Sequence, residues 1–249
     1  MDYSLILLVA GCVFLGALMR STFGFGDAVV SMPLLALLPI PFSTAAALVG
    51  LVGFTVALFF AVSGWKDKDP VILKKLTGAT VVGIPFGLLL VRFARAEWVS
   101  LILGLLLMVY AMYSLYGPKT HHEQLKHRFR NTRYALPFGF VSGMLGSAYN
   151  MNGTPIVIYA TIRDWDPKSF KGNVQSHFIL SSSFILVSHF LSGFWTKEVG
   201  VYFIFSIPGV LLAIYLGNVI YGKIKVDKFK TMIFYLIFLL GVISLFDFF

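Results

Sequence analysis

The 249-residue chain has a single cysteine, Cys12, so no disulfide can form within it. Cys12 sits in an apolar run, where a buried thiol is the expected occupant. Acidic residues are scarce as well: 11 Asp and Glu stand against 20 Lys and Arg, and charged residues together make up 12%. So little charge beside 58% hydrophobic residues and a mean hydropathy of +0.85 excludes a soluble globular domain and marks an integral helical membrane protein. Alternating apolar and polar residues are absent, which leaves a β-barrel without support. The formal charge of +9 then reads as a topological signal before it reads as affinity for nucleic acid, and no nucleic-acid partner is expected. The N-terminus, Met-Asp-Tyr-Ser, lacks the basic region of a signal peptide, so the first helix is expected to be retained.

What is present is a series of apolar segments at 5–19, 28–41, 43–63, 76–91, 98–116, 134–148, 154–162, 174–194, 200–221 and 229–248. Four of them (5–19, 28–41, 134–148 and 154–162) are short and come as two adjacent pairs; the other six can span a bilayer. A basic, polar stretch at 117–133 divides the chain into a first transmembrane repeat (1–116) and a second (134–249). Internal similarity supports the division. Gly87 falls on Gly217 at an offset of 130, Ser63-Gly64 on Ser192-Gly193 at 129, and Gly24 and Pro33 on Gly146 and Pro155 at 122, a polar insert around 163–171 absorbing the change.

Each half thus holds a short hairpin plus three full spans, an odd number of crossings, so the halves are expected to run in opposite senses. This inverted-topology repeat is a common plan of secondary transporters. With both termini outside, the cytoplasmic connections, including the 117–133 linker, carry sixteen Lys and Arg. The external ones carry three: Arg92, Arg95 and Lys197. Whether the hairpins re-enter or cross is left open.

The chemistry concentrates in Arg20-Ser-Thr-Phe-Gly-Phe-Gly-Asp27, expected as a turn between the first two short helices, and in its counterpart Gly146-Ser-Ala-Tyr-Asn-Met-Asn-Gly-Thr-Pro155. In an inverted repeat these breaks approach each other near the midplane with helix N-termini facing a shared cavity, and such N-termini favour anions. A cation inside a membrane needs a partner, which for Arg20 is either Asp27 or a bound anion; the sequence leaves both open. The candidate substrate ligands are Arg20, Ser21, Thr22, Gly24, Gly26, Asn150, Asn152, Gly153, Thr154 and Gln175. Asp27, His177 and His189 are candidates for coupling to a proton or Na+, although helix–helix hydrogen bonding is the plainer role for the two histidines. His121, His122 and His127 lie in the linker without an accompanying cysteine or carboxylate set, so no metal is expected, and no other cofactor. Gly24-Phe-Gly26 lacks the third glycine and the preceding strand of a dinucleotide fingerprint. No nucleophile constellation can be assembled, and the chain is expected not to be an enzyme.

With this layout, the chain resembles the sulfite exporter TauE/SafE family, also called toluene-sulfonate uptake permeases. The resemblance rests on Gly24-Phe-Gly26 with Pro33, on Gly139, Gly143, Gly146 and Gly153-Thr-Pro155, and on Phe170-Lys-Gly-Asn-Val-Gln175, and it extends over essentially the whole chain. It implies a carrier of small sulfur-containing anions (sulfite, thiosulfate, sulfoacetate or other organosulfonates) in the bacterial cytoplasmic membrane. It implies work without ATP hydrolysis, in contact with membrane lipid. Small carboxylates are the alternative cargo, and a channel the alternative device. Relatives often carry glycine or another small residue at Asp27 and a more glycine-rich stretch at 149–152, so this chain adds polar groups to both breaks. The oligomeric state is left open, a homodimer being one option.

Overall fold

The computed structural model describes residues 3–61, 67–93, 96–116, 131–163, 165–221 and, near the end, residues 234, 235, 238, 239 and 242. Most of the linker and most of the last apolar segment lie outside the described residues. Among those described, all regular structure is helical. The helices are α1 (Tyr3–Phe23), α2 (Asp27–Ala36), α3 (Phe42–Ala61), α4 (Pro70–Phe93), α5 (Ala96–Tyr116), a 3₁₀ turn (Thr132–Tyr134), α6 (Ala135–Tyr149), α7 (Gly153–Ile162), α8 (Pro167–Leu191) and α9 (Lys197–Tyr221). Helices α1, α3, α4, α8 and α9 are long and apolar enough to cross a membrane.

Of the boundaries that differ from the sequence expectation, three add helical turns that were expected as connections or as part of the break. First, α1 is not a short helix ending at residue 19. It has 21 residues, about 31 Å at 1.5 Å per residue, and is long and apolar enough to cross a membrane. Its polar residues do not break it: Arg20 is neutralised by a partner seven residues on, and the Thr22 hydroxyl donates to the Leu18 carbonyl at 2.8 Å. Second, α4 starts at Pro70 rather than 76, because Asp69 Oδ1 accepts from the backbone N–H groups of Val71 and Ile72. Third, α8 starts at Pro167 rather than 174, capped by Asp166 Oδ1 accepting from Lys168 and Ser169 N–H. The polar insert is therefore largely the first turns of a helix.

The long helices pair reciprocally between the two halves. α4 lies along α6 as α9 lies along α1; α3 crosses α8; and α3 meets α9 as α8 meets α4. The α4–α6 contact is backbone on backbone. Side chains at Gly83, Gly87, Gly139 or Gly143 would overlap carbonyl groups of the facing helix, and Thr80 Oγ1 and Ser147 Oγ donate across it to Gly139 O (3.0 Å) and Ile84 O (2.8 Å). Small residues with interhelical hydroxyl bonds are the usual adhesive where lipid removes the hydrophobic drive. Outward-facing Leu7, Val82, Phe86, Val109, Ile204 and Tyr215 are exposed, as lipid-facing side chains are.

The connections before α4, before α6 and before α8 lie together. Asp69 N–H donates to Asn173 Oδ1 at 2.7 Å, Gly172 abuts the Asp67 backbone, and Lys75 Nζ donates to Thr132 Oγ1. At the far side of α8, His189 Nε2 donates to Ser147 O at 2.8 Å and its ring leans on Phe194.

Candidate functional site

The first break is three residues long. α1 ends at Phe23; Gly24 N–H still donates to Arg20 O at 2.7 Å, but Gly24 turns to φ +83° and Gly26 to φ +94°. Side chains avoid that left-handed region, so the two glycines allow the helix to stop and another to start within one turn. α2 opens at Asp27, whose carboxylate lies at the positive end of its own helix.

Arg20 reaches back across the turn, its Nη1 donating to Asp27 Oδ2 at 2.7 Å. Both residues are buried, at 2% and 8% exposure. Burying such a pair is expensive, and removing one member alone typically costs about 3–5 kcal/mol. The pair nevertheless leaves the guanidinium half used: Arg20 Nε and Nη2 are buried and have no protein partner. The guanidinium carbon stands 4.6 Å from the centre of the Phe178 ring of α8, a desolvated cation–π contact. On the α3 side Gly53 leaves room. A Cβ there would lie 2.6 Å from Asp27 Oδ2 and 3.3 Å from Arg20 Nη1.

The second break, 150–152, follows α6. Asn150 holds the left-handed position at φ +57°, and its Nδ2 donates to Ala46 O on α3. Asn152 Nδ2 donates to Ser181 Oγ at 2.7 Å, and Asn152 O accepts from Ser142 Oγ at 2.6 Å. Gly153 then starts α7 flat against Phe178, where a side chain would meet the ring at 2.5 Å.

The two breaks meet. Gly26, Asp27, Asn150, Asn152, Gly153 and Thr154 surround one void of about 10 Å³, roughly the space of one water, with the first turns of α2 and α7 both at its wall. The breaks are also cross-tied. Gln175 Nε2 on α8 donates to Gly24 O at 2.9 Å, while Asn150 on the other break donates to Ala46 O on α3. Phe178 joins the assembly from both sides, under Arg20 and against Gly153.

Two candidate ligands are turned elsewhere. Ser21 packs beneath Gly217 of α9, and the Thr22 hydroxyl is engaged by its own helix, so neither faces the void. Both stand on α1 rather than in the turn. The histidines also lie apart. The Ser142 proton is committed to Asn152 O, so its oxygen accepts from His177 Nε2 at 3.1 Å. His177 therefore acts as a donor here, not as a base to that hydroxyl. His189 belongs to the α6–α8 contact. Among the described residues no group of three or more potential metal ligands occurs. Phe178, Gly50, Gly53 and Ser142 were not singled out from sequence. The Gly50-x-x-Gly53 spacing on α3 was the available signal, since Gly50 stands against Asn150 as Gly53 stands against Asp27.

An apolar groove of about 310 Å³ runs between α5, α6 and α7 and ends at Met151 and Thr154, beside the void.

Arg20 is not itself at the wall of the void but is joined to it through Asp27 and Phe178, and a buried cation with spare donors beside the first residue of a helix is equipped to hold a small oxyanion. The family model for the sulfite exporter TauE/SafE family matches residues 8–243, and the chain belongs to that family. No curated protein and no solved structure matches it significantly.

Proposed function

We propose, with membership of this membrane transporter family as the premise, that the protein is a secondary carrier of small sulfur-containing anions: sulfite, thiosulfate, sulfoacetate or another organosulfonate. The anion is held where the two breaks meet. Arg20 supplies the charge, the first turns of α2 and α7 supply backbone N–H groups, and Asn150, Asn152 and Thr154 supply neutral hydrogen bonds. The observation that carries this reading is the buried Arg20 guanidinium, two of its nitrogens unpartnered, held by Asp27 and Phe178, which both line the void where α2 and α7 begin.

Alternating access comes from rocking of the halves about that junction. The reciprocal pairing of α1–α9 with α6–α4, and of α3 with α8, supports an inverted repeat in which each half is the other's counterpart. The clustering of the connections before α4, α6 and α8 supports one cytoplasmic face that carries the Lys and Arg excess, with both termini opposite. The groove ending at Met151 and Thr154 favours a sulfonate with a short apolar tail, the head at Arg20 and the tail between α5 and α7.

Counterflow in proteoliposomes tests the assignment. Labelled thiosulfate should be exchanged by unlabelled thiosulfate, sulfite and short alkyl sulfonates. Exchange by acetate or lactate alone, or no exchange at all, would remove the sulfur-anion reading.

A further inference from the structure

We propose that the Asp27 carboxylate is a built-in stand-in for the transported anion, and that it yields Arg20 only by taking a proton, so that each anion travels with one H+. The inference rests on the reading of Arg20 as the anion's ligand and adds the identity and sign of the coupling.

The starting point is a charge count. The junction holds one cation, Arg20, and one carboxylate, Asp27, 2.7 Å apart and both buried. The void between the breaks holds about one water, so a substrate anion enters only as groups there move apart. If the anion arrives while Asp27 stays ionised, two negative charges face one guanidinium in a dry site, and close like charges there are mutually excluding. If Asp27 is protonated, the site again holds one cation and one anion. For a monovalent sulfonate its charge is then the same with and without cargo, and for the thiosulfate dianion the proton removes one of the two excess negative charges.

No other group stands ready to compensate. α1 brings Arg20 to the carboxylate, and α3 brings Gly53, which carries no side chain. α8 brings Phe178 and Gln175 to the first break, and the second break contributes Asn150, Asn152 and Thr154, all neutral. His177, next to Phe178, is turned to Ser142. Of the described residues that line the void, only Asp27 is titratable; His177 stands one contact behind the void's wall, through Ser142.

The step is a proton transfer and an exchange of hydrogen bonds, with no covalent bond to substrate. A proton from the aqueous phase on the loading side adds to Asp27, giving the neutral acid. Arg20 Nη1 moves its hydrogen bond from Asp27 Oδ2 to an oxygen of the anion, and Nε and Nη2, unpartnered before, take the others. After the halves rock, the anion leaves, Asp27 releases its proton to the unloading side and the ion pair re-forms.

The test uses purified full-length protein in proteoliposomes, with membrane potential clamped at zero. Thiosulfate and methanesulfonate, whose charge is fixed across the working pH range, serve as probes. In the wild type, an outside-acid gradient of one pH unit should drive about tenfold accumulation of the probe by net uptake into vesicles loaded without it, and an internal pH dye should report acidification as it enters. Asp27→Asn, which retains an oxygen acceptor for Arg20, should lose both effects at whatever rate of exchange it retains. Net wild-type uptake of the probe without proton entry, or an Asp27→Asn variant that still accumulates the probe about tenfold, would overturn the coupling. Absence of wild-type counterflow with either probe would instead strike at the anion site itself, and the coupling built on it would fall with it. The wild-type dye measurement decides the question even if the variant does not fold.

Discussion

Gly53→Ala sets helix propensity and site geometry against each other. In the interior of an exposed helix, Ala for Gly stabilises by about 0.8–1 kcal/mol. At Gly53 of α3 the added methyl would stand 2.6 Å from Asp27 Oδ2 and 3.3 Å from Arg20 Nη1. Ordinary contact needs about 3.4 Å, so the carboxylate must give way by about 0.8 Å. Taken along the ion-pair bond, that shift stretches 2.7 Å to about 3.5 Å, where a hydrogen bond is effectively lost. Asp27 is short and can rotate, so the cost falls mainly on the ion pair and only in part on the fold. Net stability should change by less than about 2 kcal/mol, the propensity gain offsetting part of an overpacking cost of about 1–3 kcal/mol. Counterflow should fall by about tenfold or more. Gly78→Ala on α4 is the control, because a methyl there meets nothing within 4 Å; it should transport normally and melt at the same or higher temperature. Thermal unfolding in detergent and counterflow in proteoliposomes are read on both variants. A Gly53→Ala protein indistinguishable from Gly78→Ala would refute the close packing of α3 against the ion pair.

Other outcomes follow from the same contacts. Gly143→Ala would press a methyl onto the Thr80 backbone in the α4–α6 contact, and it should destabilise by about 1–3 kcal/mol, read as a lower melting temperature. Phe178→Leu removes the ring under Arg20, worth about 2 kcal/mol when desolvated, and should raise the half-saturation concentration for the anion by about tenfold or more. Asp166→Ala removes the cap of α8 and should lower the melting temperature without changing anion affinity. The Ser169 hydroxyl and backbone N–H hold the Asp166 carboxyl below its usual range. Its contribution is therefore complete above the unfolded carboxylate value of about 3.9 and is lost as pH falls through the lower folded value, so the stability gap between wild type and variant should close only in strong acid.

The all-helical membrane class was legible because apolar residues recur from end to end, and hydropathy needs no tertiary information. Helix starts were less legible: Asp69-Pro70 and Asp166-Pro167 are cap signals, but the polar first turns behind them read as connections. Arg20, Ser21 and Thr22 read as a turn because the group that neutralises Arg20 lies across the break and the helix that makes room for it is α3. The register between the two breaks was the subtlest difference. Matching glycines and prolines set Gly24 against Gly146, whereas the helix ends at Phe23 and Tyr149 and the starts at Asp27 and Gly153 are both 126 residues apart. That pairs Gly24 with Asn150, the two left-handed residues that close α1 and α6. Because asparagine does the glycine's work in the second break, a comparison of glycines slips by about one helical turn. The junction of the breaks followed from the proposed repeat, but Phe178 carries no local mark in an aromatic-rich sequence.

The most direct measurement is anion counterflow by Arg20→Ala and Arg20→Lys beside the wild type, with folding of each checked by thermal unfolding. Loss of exchange in the alanine variant, and partial exchange at weaker affinity in the lysine variant, is the expected result, since lysine keeps the charge but not the fork of donors. Undiminished exchange of thiosulfate or a sulfonate by folded Arg20→Ala would contradict the anion site at the meeting of the two breaks.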